Sequence, residues 1–174
     1  MTKNKSPLRY PGGKTRACKT LDDILIQYYN INEFNTIVSP FLGGGSFEFY
    51  IQNKYNLNIK ANDKFTPLYN FWISCKLHKE TLCNTLITKL NTIDKATFID
   101  LRKNIINEKD ILQQSIMYFI INRCSFSGAT LSGGFSAEAA KKRFTQSSID
   151  KINHLHLDDF NIHNLDFEEF IEAN

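Results

Sequence analysis

The feature that most restricts this chain is a triple glycine, Gly43-Gly44-Gly45, set between a short apolar run and the start of a helix. The run Thr36-Ile37-Val38 has the β-branched character of a buried strand and is stopped by Ser39-Pro40. Beyond the glycines, Ser46 is expected to N-cap a helix over 46–54 that carries Phe47, Phe49, Tyr50 and Ile51. Leu57 to Ala61 reads as a second strand, ending at Asn62-Asp63. Two strands joined through a helix within residues 36–63 form a crossover, so they are expected to be parallel and the fold to be α/β.

With 174 residues, of which 42% are hydrophobic and 22% charged, the chain is long enough for one compact domain with a core that needs no staples. Cys18, Cys75, Cys83 and Cys124 are widely separated and show neither zinc-ligand nor disulfide spacing, so reduced thiols and no metal are expected. No apolar run approaches the roughly 20 residues of a membrane span, and Met1 to Pro7 is polar and basic rather than a secretory signal. A soluble, cytoplasmic protein is the expectation. The formal net charge is only +3, but it is unevenly spread. Lys3, Lys5, Arg9, Lys14, Arg16 and Lys19 precede every acid, whereas Lys and Arg are absent after Lys151, an asymmetry that suits a basic surface for a polyanion.

Elsewhere, residues 15–29 read as an amphipathic helix with Leu21, Ile24, Leu25 and Tyr28 on its apolar face. From Pro67 to about Asn122 helix follows helix, with Leu68, Phe71, Trp72, Cys75, Leu82, Leu86, Leu90, Ile111, Ile116, Phe119 and Ile120 facing inward. Ser125 to Ser136 has no period and is rich in Gly and Ser, the mark of a functional loop, with Lys141-Lys142-Arg143 just beyond it. A helix over 146–155, a third strand over Phe160–Leu165 and an acidic helix from Asp166 complete the pattern.

Three segments are candidates for chemistry. The turn Pro40-Phe41-Leu42-Gly43-Gly44-Gly45-Ser46 would let a cofactor approach the backbone beside a helix N-terminus. Asp63, 18 residues after Gly45, sits near the spacing at which a carboxylate accepts from ribose hydroxyls. A glycine turn can equally be a plain connection, and this one lacks the Gly-Lys-Ser/Thr of a phosphate loop. The basic arm with Arg9, Tyr10 and Lys14, and the loop with Asn122, Arg123, Ser125, Phe126, Ser127 and Thr130, carry groups that contact phosphates, read base edges and stack on bases. Taken singly, each is also an ordinary solvated loop.

In order along the chain, Pro7-Leu8-Arg9-Tyr10-Pro11-Gly12-Gly13-Lys14, Pro40 to Ser46, Ala61-Asn62-Asp63, Asn122-Arg123 with Phe126-Ser127-Gly128, and Asn164-Leu165-Asp166-Phe167 together resemble the Dam-type, alpha-class adenine-specific DNA methyltransferases. The resemblance covers essentially the whole chain. It implies a Rossmann-like S-adenosylmethionine-dependent methyltransferase sheet, here incomplete, with a helical target-recognition insertion; the core would be 1–65 plus 156–174 and the recognition region 66–155. It implies S-adenosylmethionine as cofactor and double-stranded DNA as partner, with methyl transfer to the N6 amino group of adenine in a restriction-modification setting, in a bacterial or virus-infected cell. Tyr10, Gly12, Gly13 and Lys14 would lie near the methionine end of the cofactor. Pro40, Phe41, Gly43, Gly44, Gly45 and Ser46 would form its wall, Asp63 would take the ribose, and Asp166 and Phe167 the adenine ring. Arg9, Asn122, Arg123, Ser125, Phe126, Ser127 and Thr130 would face DNA.

The family's catalytic loop is Asp-Pro-Pro-Tyr or a close variant, and no Asp-Pro-Pro occurs here: the four prolines are Pro7, Pro11, Pro40 and Pro67. No catalytic residue is therefore assigned, and this chain alone is expected to be inactive. The expectation is the amino-terminal part of a longer enzyme, or one half of a split enzyme completed by a second polypeptide or second copy. The alternative is a relic or subunit that binds DNA or cofactor without catalysis. An incomplete sheet would leave an open strand edge.

Overall fold

The computed structural model describes residues 3–174. A three-stranded sheet is formed by β1 (Thr36–Ser39), β2 (Asn58–Asn62) and β3 (Phe160–His163), in that spatial order and all parallel. Ile37 pairs with Ile59 and Ile59 with Phe160, so β2 is central and its Ile59 and Ala61 are buried. Among the described residues, the outer edge of β1 has no strand partner.

Around the sheet lie α1 (Cys18–Tyr28), α2 (Ser46–Tyr55), α3 (Thr66–Leu77), α4 (Lys79–Thr88), α5 (Lys95–Asn104), α6 (Ile111–Cys124), α7 (Ala137–Arg143), α8 (Gln146–Asn153) and α9 (Phe167–Glu172). Local chemistry sets their starts. Pro67 occupies the first turn of α3, the side chains of Asp94 and Asp110 accept from Thr97 N and Gln113 N, and Thr145 with Ser148 forms a capping box on α8. No helix among the described residues is long and apolar enough to cross a membrane.

The helices between β2 and β3 do not form a core of their own. α6 is buried on every side from Gln114 to Cys124 and packs on α3, where the Phe71 and Phe119 rings stack at 5.6 Å. Trp72 reaches from α3 to Phe49 of α2, and Phe49 in turn meets Phe160 of β3, so one hydrophobic cluster runs from the sheet into the helical segment. Between the two helices the buried Ser115 is held by polar contacts, since its Oγ donates to Ile111 O at 2.6 Å and lies 2.9 Å from Ser74 Oγ.

Several sequence expectations are corrected. Ser46 does not cap α2; Gly45 does, in the left-handed region at φ +67°, and Ser46 is the first helical residue. The expected apolar face of α1 is only partly covered, with Leu21 and Leu25 half-buried but Ile24 47% and Tyr28 71% exposed. What α1 buries instead is Cys18 and Asp22: the Asp22 carboxylate accepts from Tyr50, Lys54 and Tyr55 of α2, so the two helices join through a polar knot. Ile111, at the exposed start of α6, is also outside the core. The helix α7 was not anticipated; its short Ala-rich sequence has no hydrophobic period, although Ser136 caps it by accepting from Ala139 N at 3.1 Å.

Candidate functional site

The carboxyl ends of the three parallel strands gather the glycine turn, Asp63 and Asp166-Phe167, which is where ligands bind in open α/β sheets. The turn is fastened from several sides. Leu42 N donates to Asn62 O at 2.8 Å, Gly43 N donates to Asp63 Oδ2 at 2.9 Å, and the indole of Trp72 donates to Gly43 O at 3.0 Å. Gly43 at φ +52° and Gly45 at φ +67° supply the left-handed steps that let the strand turn into α2. Gly44 has another reason to lack a side chain: a Cβ there would stand 2.9 Å from Cβ of Tyr10, whose ring lies over Gly43 and Gly44.

Asp63 works as a brace as well as a candidate ligand. Its Oδ1 accepts from Phe65 N at 3.0 Å and its Oδ2 from Gly43 N, so it ties the end of β2 to both the turn and α3. Each carboxylate oxygen has a second lone pair for a hydroxyl. Burial raises its pKa, and the two amide donors pull it back part of the way. Burial, then the nearby Asp63 charge, also raises the Tyr10 phenol.

Asp166 caps α9 by accepting from Glu168 N at 3.1 Å and pairs with Lys64 Nζ at 2.6 Å, an ion pair that lowers its pKa. Phe167 and Phe41 meet with ring centroids 5.4 Å apart and planes tilted by 37°, and they are 40% and 69% exposed. An exposed aromatic pair beside a carboxylate fits a flat heteroaromatic ring joined to a ribose. The residues present therefore fit an adenosine-bearing cofactor.

Asn62 is a positioning residue that the sequence reading passed over. Buried at 1% exposure, its amide donates to Pro40 O and Leu165 O at 3.3 and 3.1 Å, and its Oδ1 accepts from Leu165 N at 2.8 Å. One side chain thus holds together the ends of all three strands. Its place directly before Asp63 was the available signal.

The arm carries Tyr10, Gly12, Gly13 and Lys14 onto this end of the sheet. Gly13 N donates to Tyr10 O at 2.9 Å and Gly12 takes φ +73°, which makes a tight turn, while Lys14 is exposed and donates to Gly12 O. Tyr10, Gly13 and Ser46 line a cavity of about 470 Å³ that continues along α2 towards Lys3, Lys5 and Lys151. Pro40 is half-buried and lends its carbonyl to Asn62.

The loop candidates divide sharply. Asn122, Arg123 and Ser125 are 0%, 8% and 0% exposed, so they brace the loop from inside rather than reach outward. Asn122 receives Arg9 N at 2.9 Å and donates to Arg9 O at 2.7 Å, clasping the arm with both ends of one amide. Arg123 donates to Pro7 O and Arg143 O, and Ser125 Oγ accepts from Thr130 N. Phe126 and Ser127 are exposed, Phe126 at 70%, whereas Arg9 and Thr130 are half-buried and the Thr130 hydroxyl is bonded inward, accepting from Asn122 Nδ2 at 3.1 Å and donating to Gly128 O at 3.2 Å. Ser127 and Thr130 hold φ +52° and +51°, and the loop is closed by the Ser125–Phe135 bridge and by Phe126 N donating to Gly134 O at 2.9 Å. Phe126 is therefore displayed on a firmly built loop. Gly128 makes that possible, because a Cβ there would lie 2.5 Å from Arg9 Cβ.

Residues 10–174 match the model of a family described as D12 class N6 adenine-specific DNA methyltransferase. The chain belongs to this family. D12 methyltransferases take their methyl group from S-adenosylmethionine and act on DNA. No curated protein sequence matches the chain. In the structure the aromatic pair and the two carboxylates lie at the strand ends, and the arm is joined to the end of α6 through Asn122.

Proposed function

We propose that the chain is the cofactor-binding and DNA-recognition part of an enzyme that methylates the adenine N6 amino group in a short duplex sequence, as the modification arm of a restriction-modification system. The observation that carries this reading is the convergence of Phe41, Asp63, Asp166 and Phe167 at the carboxyl ends of three parallel strands. In this reading the sheet is a Rossmann-like methyltransferase core, and residues 66–155 form the target-recognition region.

S-adenosylmethionine, when bound, supplies an electrophilic methyl group on a sulfonium. Phe41 and Phe167 would hold its adenine, Asp63 its ribose hydroxyls, and Tyr10, Gly12, Gly13, Lys14 and Ser46 its methionine end, with Gly43 to Gly45 presenting backbone. On the DNA side, Arg9, Ser127 and Thr130 would contact the duplex while Phe126 stacks against bases. An adenine amine is reached only when its base leaves the helix, and an exposed aromatic on a rigid loop suits the gap that base leaves. Asn122, Arg123 and Ser125 would serve the same interface from within.

The amine must also be held by a carboxylate and a carbonyl for attack on the methyl, and no Asp-Pro-Pro step exists in the sequence to do this. In this proposal the step comes from polypeptide that pairs along the open edge of β1, where Val38 is 40% exposed. That polypeptide is a continuation of the enzyme or a second chain. The absent motif also supports a second reading, a protein that binds cofactor and DNA without catalysis.

Isothermal titration with S-adenosylmethionine, with ATP as control, followed by tritiated-methyl transfer to mixed-sequence duplex, tests the proposal. Cofactor binding with transfer only after adding a polypeptide that carries Asp-Pro-Pro-Tyr is the expected result. Binding with no transfer under any addition favours the second reading, and ATP binding without S-adenosylmethionine binding overturns both.

A further inference from the structure

Three arginines meet where the arm, the end of α6 and the end of α7 converge. Arg123 Nε donates to the Arg143 carbonyl at 2.6 Å, its Nη1 donates to the Pro7 carbonyl at 3.2 Å, and its guanidinium lies over the Phe119 ring, 6.0 Å from the centroid. Arg9, two residues beyond Pro7, donates from Nη1 to Ser125 O at 3.1 Å, and its backbone is clasped by Asn122. Arg143 closes α7 with an exposed side chain. The ion pairs among the described residues are Lys54–Asp22, Lys64–Asp166 and Lys142–Glu138, and none involves these three arginines.

Cations gathered without an acid repel one another. Arg123 is brought down to about 10, first by burial and then by Arg9 and Arg143. Arg9 is lowered by burial and by Arg143. An anion between the two outer members relieves that repulsion, and a guanidinium fork matches a phosphate.

We propose that Arg9 and Arg143 form a clamp for a phosphodiester of duplex DNA, with Arg123 as the buried positioning residue that fixes the spacing of the arm and α7. This rests on the proposed function above. The duplex is the favoured source of the phosphate because Arg9 backs directly onto Gly128 of the loop that displays Phe126. A contact to the backbone fixes the register of the protein on DNA without reading sequence. The clamp would therefore set where the exposed aromatic meets the base stack.

The test uses the full chain and two substitutions, R143Q and R143K. Both keep the backbone carbonyl that Arg123 requires. Fluorescence anisotropy with a labelled mixed-sequence duplex over a salt series gives affinity and salt slope, and thermal melting in inorganic phosphate, against chloride at equal ionic strength, reports anion binding without DNA. Expected for R143Q is weaker binding to every sequence alike, a salt slope smaller by about 0.9, as for one phosphate contact, and loss of protection by phosphate. R143K should keep the slope while binding less tightly, because a point charge replaces a fork. Equal slopes and equal phosphate protection in wild type and R143Q overturn the clamp. Protection lost in R143Q with equal slopes overturns the duplex as its ligand and leaves a free phosphate. If neither protein binds duplex while protection is still lost in R143Q, the clamp stands and the DNA-binding function beneath it fails.

Discussion

The Trp72 indole donates to the Gly43 carbonyl at 3.0 Å, so α3, the first helix between β2 and β3, is hydrogen-bonded to the glycine turn of the sheet. Trp72 is 1% exposed and packs edge-on against both Phe49 and Phe71. A carbonyl buried by that contact has no water to turn to. The bond therefore couples the shape of the glycine turn to the seating of α3.

Trp72→Phe keeps most of the ring and removes the donor. The orphaned Gly43 carbonyl should cost about 1–3 kcal/mol of stability, and S-adenosylmethionine affinity should fall with it because the turn loses an anchor. Trp72→Ala should cost more, about 3–5 kcal/mol, through the cavity it leaves. Urea denaturation with and without cofactor checks both values. If Trp72→Phe is as stable as wild type, the indole bond does not hold the turn.

Gly44→Ala tests a steric relationship rather than a conformational one. The new methyl would meet Tyr10 Cβ at 2.9 Å, so the arm must lift from the turn. Cofactor affinity is expected to drop at least tenfold, about 1.4 kcal/mol. Adding Tyr10→Ala should restore part of it, since the two sites are in contact and their effects will not add. Calorimetry on the four proteins of the cycle gives the coupling energy, and strict additivity would refute the clash.

The strand-turn-helix-strand unit was legible because its signals are local: β-branched runs, a triple glycine and a closing Asn-Asp. The parallel pairing followed from the connection alone, and the structure has it. The interior roles of Asn62, Asn122 and Arg123 were not legible in the same way. Asn122 and Arg123 read as part of the loop and so as DNA contacts, whereas the structure places them in the last turn of α6 and Asn62 at the end of β2, and only the fold reveals that these three bond backbone carbonyls and amides of distant segments. The face of α1 misled for a related reason. Leu21, Ile24, Leu25 and Tyr28 have helical spacing, but Asp22 meets two phenols and an ammonium on α2, and that fully bonded carboxylate takes the buried side.

Asp63→Asn separates the brace from the ligand. The amide keeps one acceptor, so one of the two amide donors, Gly43 N or Phe65 N, loses its partner or the turn shifts. Stability should fall by about 1–2 kcal/mol. S-adenosylmethionine affinity should fall further than adenine affinity, because only the former includes the ribose hydroxyls. Parallel titrations with S-adenosylmethionine and adenine decide it. An equal loss for both ligands would mean that Asp63 acts on the turn and not on the ribose.

Glu48 supplies the pH dependence. It is 7% exposed in the first turn of α2, where its Oε1 accepts from Ser39 Oγ at 2.6 Å. Burial raises its pKa above the ordinary 4.5, and the hydroxyl and amide donors only partly oppose this. Because the folded value exceeds the unfolded one, the folded state holds the proton more tightly between the two, and stability falls as pH rises through that window. The favourable contribution is complete below the unfolded pKa and gone above the folded one. Glu48→Gln keeps a hydrogen-bonding partner for Ser39 and carries no charge at any pH. Its melting temperature should match wild type most closely below the ordinary carboxylate pKa, then exceed it by a margin that grows with pH and levels off once Glu48 is ionised. Melting curves of the two proteins from pH 4 to pH 8 isolate this group from the other carboxylates, and a margin that shrinks with rising pH would show that the buried Glu48 charge stabilises the fold instead.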